Sequence, residues 1–227
     1  SPREASPARA GGDAFLSPES RMRSATTPRP FDGIICIGGE DWWYHNRGHF
    51  DMQLMREMSR HVPVLYVNSI GMRVPRPTEG AMFLTRVRRK LKSLMRGTVK
   101  VRENFSVMSP FAIPGKLGRS LTKSLMPKQI LRSARAMGIE RPLLWIACPP
   151  GAQAVDAIKP VGIVYQRTDR FEDFPNVDRE TIKGYDTSMK REGDCTLFCS
   201  RLLYEAEKQD CREPLFVDEY RKKRERS

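Results

Sequence analysis

The chain has 227 residues, of which 39% are hydrophobic and 30% are charged. This length suffices for one large domain or two small ones, and it can bury a core without disulfides. No apolar run approaches the roughly 20 residues of a membrane-spanning helix, and the first residues lack the charged head and apolar core of a secretory signal.

Apolar runs and helical periods alternate from residue 33 towards the end of the chain. Short runs rich in Val, Ile and Leu predict strands, and apolar residues at helical spacing predict the helices between them. The predicted strands are 33–37, 62–67, 101–108, 143–148, 161–165, 196–199 and one from 215; the predicted helices are 47–60, 82–96, 117–137 (one helix or two around Pro127), 151–158, 178–192 and 201–210.

This alternation predicts the fold class and the domain boundaries. Strands that are continuously apolar and separated by helices indicate a parallel sheet with helices on both faces. We therefore predict an α/β fold with a Rossmann-like, doubly wound sheet over residues 31–218. Residues 1–30, rich in Pro, Ser, Ala and Arg, predict a disordered tail, and residues 219–227 predict a charged C-terminal tail.

The positive charge is confined to one block of the sequence. The chain carries 40 basic and 27 acidic residues, a formal net charge of +13. Residues 80–139 hold fourteen of the basic residues and a single acid, Glu103, so the remainder is neutral. Such a block predicts a negatively charged partner.

The loop after the first strand carries side chains suited to a ligand. Parallel sheets bind ligands at the carboxyl ends of their strands. Here Gly38 and Gly39 allow a ligand to approach the backbone closely, and Asp41, Trp42 and Trp43 follow. Aromatic faces suit sugar rings or acyl chains; alternatively, both tryptophans pack over the sheet edge. The glycines do not form a GxGxxG fingerprint, which disfavours a dinucleotide site.

The strand at 161–165 is followed by a second candidate loop, which contains Asp169 and Arg170. A carboxylate in this place can orient a hydroxyl or stabilise developing positive charge, so Asp169 is the candidate catalytic residue. The alternative is that Asp169 only caps the loop. After the strand at 196–199, Ser200 is expected to cap the helix that follows.

Residues 82–96 predict an amphipathic helix with an apolar face and a basic remainder. This pattern is typical of a helix that lies on a membrane, with its basic side towards anionic head groups. The alternative is an ordinary helix that covers the sheet and exposes its basic face to water. The predicted membrane-binding residues are Arg86, Arg88, Arg89, Lys90, Lys92 and Arg96.

Several other chemistries are disfavoured, and we predict neither a metal nor a cofactor. Cys195 and Cys199 lie in a predicted strand without a nearby His to complete a zinc set. The sequence has no G-x-S-x-G and no Walker loop. Five cysteines, with Cys36 and Cys148 inside apolar runs, favour reduced, buried thiols and a cytosolic setting.

Three segments, in order, resemble a known family. The run DGIICIGGEDWWYHNRGHFDMQLMREMSRHVPVLYVNS is similar to the opening of bacterial GT-B glycosyltransferases of the family-four type, which build exopolysaccharide or teichuronic-acid-like polymers. The segments VGIVYQRTDRFEDFPNVD and GDCTLFCSRLLYEAE resemble the "VYxxxDdf" and "aDlVfvtS..L...e" stretches of that family. The similarity extends over residues 32–217.

The resemblance implies that the chain is the N-terminal, acceptor-binding half of a glycosyltransferase whose donor-binding half is absent. The implied reaction passes a sugar from a nucleotide-diphosphate sugar to a lipid-linked or polysaccharide acceptor, with retention and without a required metal. The implied location is cytoplasmic, peripheral on the inner face of the cell membrane. Asp169 stands where many members of the family carry a histidine that faces the acceptor.

The resemblance also assigns roles to the residues of the two loops. Gly38 and Gly39 would lie nearest the donor phosphates, with Arg47 beside them. The implied substrate-binding residues are Asp41, Trp42, Trp43, Arg47 and Arg170.

Two other functions stay open from the sequence. One is a truncated, non-catalytic module that retains membrane or glycan contact. The other is a basic α/β protein that binds nucleic acid, although the sequence has no recognised DNA- or RNA-binding motif and nucleic acid is not the expected partner.

Overall fold

A computed structural model describes residues 30–44, 48–70, 97–111 and 116–217, together with Arg88 alone between residues 71 and 96. The described residues form one eight-stranded sheet in the order β3-β4-β2-β1-β5-β6-β7-β8. Its strands are β1 (Gly33–Ile37), β2 (Val64–Val67), β3 (Thr98–Arg102), β4 (Phe105–Met108), β5 (Pro142–Ile146), β6 (Gly162–Arg167), β7 (Cys195–Phe198) and β8 (Pro214–Phe216).

All neighbouring strands are parallel except β3, which is antiparallel to β4. The central strands β1 and β2 are buried along their whole length, as expected for strands covered on both faces. The prediction of an α/β, Rossmann-like sheet is confirmed.

In the described ranges, five α-helices connect the strands: α1 (Phe50–Met58), α2 (Lys116–Ala136), α3 (Val155–Ile158), α4 (Arg179–Glu192) and α5 (Arg201–Glu207). Helix α1 packs Met52 and Met55 against one face of the sheet. Helices α2, α3 and α4 pack on the other face, where Ile130, Ile158 and Met189 contribute to a separate core cluster.

Helix ends follow the local sequence. The side chain of Asp178 accepts a hydrogen bond from the Thr181 amide and caps α4. The prediction that Ser200 caps α5 is confirmed, because its hydroxyl accepts from the Leu203 amide at 3.4 Å. Helix α2 continues through Pro127 as a single helix.

The prediction of a single strand at 101–108 is wrong, because this segment belongs to a hairpin of two strands. β3 and β4 are joined by a tight turn at Glu103 and Asn104, and Asn104 has a φ of 56°. Asn tolerates this left-handed conformation better than most residues, which makes the turn possible. β3 therefore forms an antiparallel border to an otherwise parallel sheet.

The predicted tails at 1–30 and 219–227 lie outside the described residues, apart from Pro30.

Candidate functional site

The two candidate loops open at the same edge of the sheet. β1 and β6 both run parallel to β5, which lies between them. Because neighbouring strands are about 4.8 Å apart, the loops after β1 and β6 begin about 10 Å from each other. The strand order also reverses between β1 and β5, and open α/β sheets bind ligands at such a switch point.

Asp169 and Arg170 are both exposed in the loop after β6. Within the described part of the chain, Asp169 makes no hydrogen bond or ion pair, whereas Arg170 Nε lies 3.8 Å from Glu207 Oε1. The loop is anchored immediately afterwards by Phe171, which is buried and makes an edge contact with Phe174 at 5.5 Å between ring centroids. Asp169 is therefore a solvent-facing carboxylate on a fixed loop.

A buried cluster of charges lies directly beneath this loop. We call it the Arg167 network; its members are Arg167, Glu172, Asp186, Lys190 and Glu207. The Arg167 side chain is fully buried at the end of β6. It donates to both oxygens of Glu172 at 2.9 and 3.0 Å, to both oxygens of Glu207 at 3.0 and 3.3 Å, and it pairs with Asp186 at 3.2 Å.

Lys190 completes the Arg167 network. Its ammonium group lies 2.7 Å from Asp186 and 2.6 Å from Glu207. The five N–H donors of Arg167 are occupied by three carboxylates, so the guanidinium is not available to a ligand. The network instead ties the end of β6 to α4 and α5.

The pKa values of this network reflect competition between burial and pairing. Burial opposes the ionisation of Glu172, but hydrogen bonds from Arg167 outweigh it and lower the pKa of Glu172 below its ordinary value. Burial likewise opposes the charge on Glu207, and hydrogen bonds from Arg167 and Lys190 lower its pKa. Both carboxylates are therefore held in the charged state.

The loop after β1 is also fixed by specific hydrogen bonds. The Trp42 amide donates to the Asn68 side chain at 2.9 Å, and Asn68 donates to the Ser109 hydroxyl at 2.8 Å. The Asp41 carboxylate accepts from the Trp43 amide at 2.9 Å. These contacts connect the ends of β1, β2 and β4.

The structure corrects the role predicted for Trp42. Its side chain is 1% exposed and packs against Tyr66 and Phe105, with ring centroids 5.6 and 5.0 Å away. An indole enclosed in this way cannot present a face to an acceptor, so Trp42 belongs to the core. Trp43 is only half-buried and keeps the predicted position at the edge.

The structure also corrects the role predicted for Gly38 and Gly39. A Cβ on Gly38 would collide with the hydroxyl end of Tyr66, so a glycine is needed there for packing. The Gly39 amide donates to Asp51 at 3.0 Å, and the same carboxylate accepts from the Tyr66 hydroxyl at 2.8 Å. Asp51 lies in the first turn of α1, where the helix dipole favours its negative charge, and its contact with Gly39 leaves that amide unavailable to a phosphate.

Two polar residues that hold this loop could not be identified from the sequence. Asp51 and Asn68 are 4% and 0% exposed, and each accepts from a loop amide at least 12 positions away in the chain. In the sequence, these two residues are marked only by lying next to apolar runs. Exposed polar residues often occupy such positions too, so this pattern does not distinguish buried from exposed residues.

Other predicted residues lie largely outside the described part of the chain. These are Arg47 and all of the predicted membrane-binding residues except Arg88, which is helical and exposed. Within the described residues, no helix has the length and apolar character to cross a membrane.

The described residues also contain no group of three or more His, Cys, Asp and Glu side chains arranged to hold a metal ion. All five cysteines are free. Cys36 and Cys148 are buried as predicted, and burial raises the pKa of the Cys148 thiol to about 12. Cys195 and Cys199 are only partly buried.

Neither a scan against protein-family models nor a search of curated proteins finds a match to this chain.

Proposed function

We propose that this chain is the acceptor-side, N-terminal domain of a GT-B glycosyltransferase that works at a membrane surface. The observation that carries the proposal is an exposed Asp169, without a partner among the described residues, on a fixed loop at the switch edge of a doubly wound sheet. The resemblance of the three sequence segments supports the same conclusion. The co-substrate is a nucleotide-diphosphate sugar, and the acceptor is lipid-linked or polymeric.

In this proposal, the loops after β1 and β6 hold the acceptor between them. Asp169 orients the attacking hydroxyl, and Arg170 offers a cation beside it. Asp41 and the half-buried Trp43 form the wall opposite Asp169. The two walls are about 10 Å apart, because the loops follow strands that are separated by one other strand. The Arg167 network keeps the end of β6 in place so that Asp169 retains its position.

The loop after β1 favours an acceptor role for this domain over a donor role. Asp51, in the first turn of α1, accepts from the Gly39 amide, so the protein's own carboxylate takes the donor that a phosphate would need there. A donor diphosphate would therefore be held mainly by a second domain, as in the GT-B arrangement.

The proposal is tested with the chain alone. Incubated with a panel of nucleotide-sugars and membrane extract, the chain is expected to transfer no sugar, because a GT-B site needs both domains. It is expected to bind lipid-linked or oligosaccharide acceptors, and to bind them more tightly than nucleotide-sugars. Robust turnover, or a preference for nucleotide-sugars, would contradict the proposal.

The alternative of a non-catalytic glycan- or membrane-binding module makes a different prediction. If the chain is a catalytic half, combining it with a donor-binding domain should give turnover that depends on Asp169. A module that only binds should show the same acceptor affinity but no turnover in that combination.

A further inference from the structure

A groove among the described residues lies away from the loops of the proposed acceptor site. It has a volume of about 800 Å³ and runs between the β3–β4 hairpin and helix α2. We call it the hairpin groove. The residues that matter here are Lys100, Ser106, Met108, Arg132, Ala136 and Met137. Its volume lies within the range typical of small-molecule sites, about 300–1,000 Å³.

The walls of the hairpin groove are fixed to each other. The hydroxyls of Thr98 on β3 and Ser133 on α2 are 2.8 Å apart and hydrogen-bonded. Beyond β4, the Phe111 amide donates to the side chain of Gln129 on α2 at 2.9 Å. The groove is therefore preformed rather than a gap between independent elements.

The charged side chains among the described residues that line the hairpin groove are all positive. Lys100 and Arg132 line it, and no acidic side chain is among its described lining residues. Neither cation pairs with an acid within the described part of the chain, unlike Arg167 and Lys190. Two unpaired cations facing one cavity favour an anionic group, and Arg in particular binds phosphate through two hydrogen bonds.

The inner wall of the hairpin groove is apolar. Met108 of β4 is buried, and Ala136 at the end of α2 and Met137 just beyond it also line the groove. Ser106, which is 6% exposed, lies on the same face of β4 as Met108. A ligand that fills this space needs a hydrophobic portion as well as an anionic group.

We propose that the hairpin groove binds a phosphate-bearing amphiphile, with its phosphate on Lys100 and Arg132 and its apolar portion along Met108, Ala136 and Met137. This inference does not rest on the proposed glycosyltransferase function, because it concerns binding in the absence of any sugar donor. The site is also distinct from the loops after β1 and β6.

Isothermal titration of the 227-residue chain tests the proposal. The probe is dihexanoyl phosphatidic acid, kept monomeric, with inorganic phosphate and dihexanoyl phosphatidylcholine titrated in parallel. Phosphatidic acid is expected to bind more tightly than either of the others, because only it combines a dianionic phosphate with acyl chains. Equal binding of inorganic phosphate would overturn the role of the apolar wall, and equal binding of phosphatidylcholine would overturn the role of the charge.

Matched variants separate the groove from general electrostatics. Lys100→Gln/Arg132→Gln should weaken phosphatidic acid binding by about tenfold or more, because charge-assisted hydrogen bonds are lost. Lys128→Gln/Arg135→Gln removes the same charge from exposed positions of α2 outside the groove and should weaken binding by less than about threefold, since such charges are screened. An equal loss in both double variants would overturn the proposal.

A third variant tests the cavity itself. Ala136→Trp adds bulk to the groove without changing charge, and it is expected to abolish phosphatidic acid binding while leaving the weak binding of inorganic phosphate unchanged. Binding of a DNA or RNA oligonucleotide that is tighter than phosphatidic acid and depends on Lys100 and Arg132 would instead assign the groove to nucleic acid and overturn the proposal.

Discussion

Asp169 and Arg167 are two positions apart, yet the structure gives them opposite environments. Arg167 is fully buried and surrounded by carboxylates, whereas Asp169 is exposed and has no partner among the described residues. A substitution at Asp169 should therefore change function without changing the core. This difference makes Asp169 a sharper test of function than any other residue in the two loops.

We expect Asp169→Asn to lower turnover by about 10²-fold or more in a protein that combines this chain with a donor-binding half, the usual scale for a positioned acid or base. The melting temperature should be nearly unchanged, because the carboxylate makes no hydrogen bond or ion pair within the described part of the chain that the amide would lose. Steady-state kinetics measures the turnover, and thermal unfolding measures the melting temperature.

Asp210→Asn is the matched control for Asp169→Asn. Asp210 is also exposed, but it precedes β8 at the opposite edge of the sheet. Its substitution should leave turnover intact. If Asp169→Asn were as active as this control, or if it unfolded the protein, the assignment of Asp169 would be wrong.

Trp42 and Trp43 are adjacent, and they should respond differently to truncation. Trp42→Ala is expected to destabilise the fold by about 3–5 kcal/mol, because it leaves a cavity beside Tyr66 and Phe105. Trp43→Ala should cost much less and should weaken acceptor binding. Urea unfolding and acceptor titration of the two variants measure this; equal destabilisation by both would contradict the structure.

At the scale of secondary-structure elements, the ion pairs of the Arg167 network join β6, α4 and α5. Its two lowered pKa values belong to Glu172 before α4 and Glu207 at the end of α5. A carboxylate with a folded pKa below its unfolded value stabilises the fold above the unfolded pKa, near 4.3 for Glu, and the stabilisation is lost as pH falls through the folded pKa. Stability should therefore decline on acidification below about pH 4.

Arg167→Ala should destabilise the fold at neutral pH by about 3–5 kcal/mol, because buried carboxylates lose their main partner. It should also flatten the acid limb of the stability profile, since Glu172 would lose its guanidinium partner and Glu207 would keep only Lys190. Chemical unfolding at a series of pH values measures both effects.

The control for Arg167→Ala is Arg179→Ala, which removes an exposed pair with Asp173 at 2.9 Å. This substitution should cost less than about 1 kcal/mol, as surface pairs usually do. Comparable losses in the two variants, or an unchanged acid limb in Arg167→Ala, would show that the network does not stabilise the fold as described.

The elements that the sequence predicted correctly are those whose pattern is local. The apolar run at 33–37 and the Ser200 cap each depend on a few neighbouring residues, and both are present in the structure. The Arg167 network could not be predicted, because its carboxylates lie up to 40 positions from Arg167 and look like surface acids in sequence. The turn at Asn104 was missed because residues 101–108 are compatible with one strand.

The site was predictable to the extent that it follows from topology. Both loops were placed correctly at one edge, since parallel strands must share their carboxyl ends. The roles of Trp42, Gly38 and Gly39 were not predictable, because each depends on Tyr66 or Asp51 filling the space next to it.

Over the whole molecule, positive charge is concentrated at one end of the sheet. Six exposed basic residues of the described part of the chain lie on β3 and α2: Lys100, Arg102, Lys123, Lys128, Arg132 and Arg135. The Arg167 network, with two cations and three carboxylates, lies towards the other end among β6, α4 and α5. We therefore predict that this basic end binds an anionic surface.

We expect the chain to co-sediment with anionic vesicles at low salt, and much less with neutral vesicles or at high salt, because the attraction is screened beyond about 10 Å at 0.1 M salt. Liposome pelleting with both lipid compositions measures this. Equal binding to both compositions would count against a basic membrane-facing end, as would tighter binding to a DNA oligonucleotide than to vesicles.

The outermost strands bear on how the protein avoids aggregation. A sheet border with unpaired backbone groups can recruit a strand from another molecule, and cationic side chains or a very short strand discourage this. β3, on one border of the described sheet, carries exposed Lys100 and Arg102, so two copies brought together there would repel each other. β8, on the other border of the described sheet, has only three residues. It begins with Pro214, which has no amide hydrogen to donate. Replacing Lys100 and Arg102 with threonine would remove that repulsion and leave a β-prone border open to self-association.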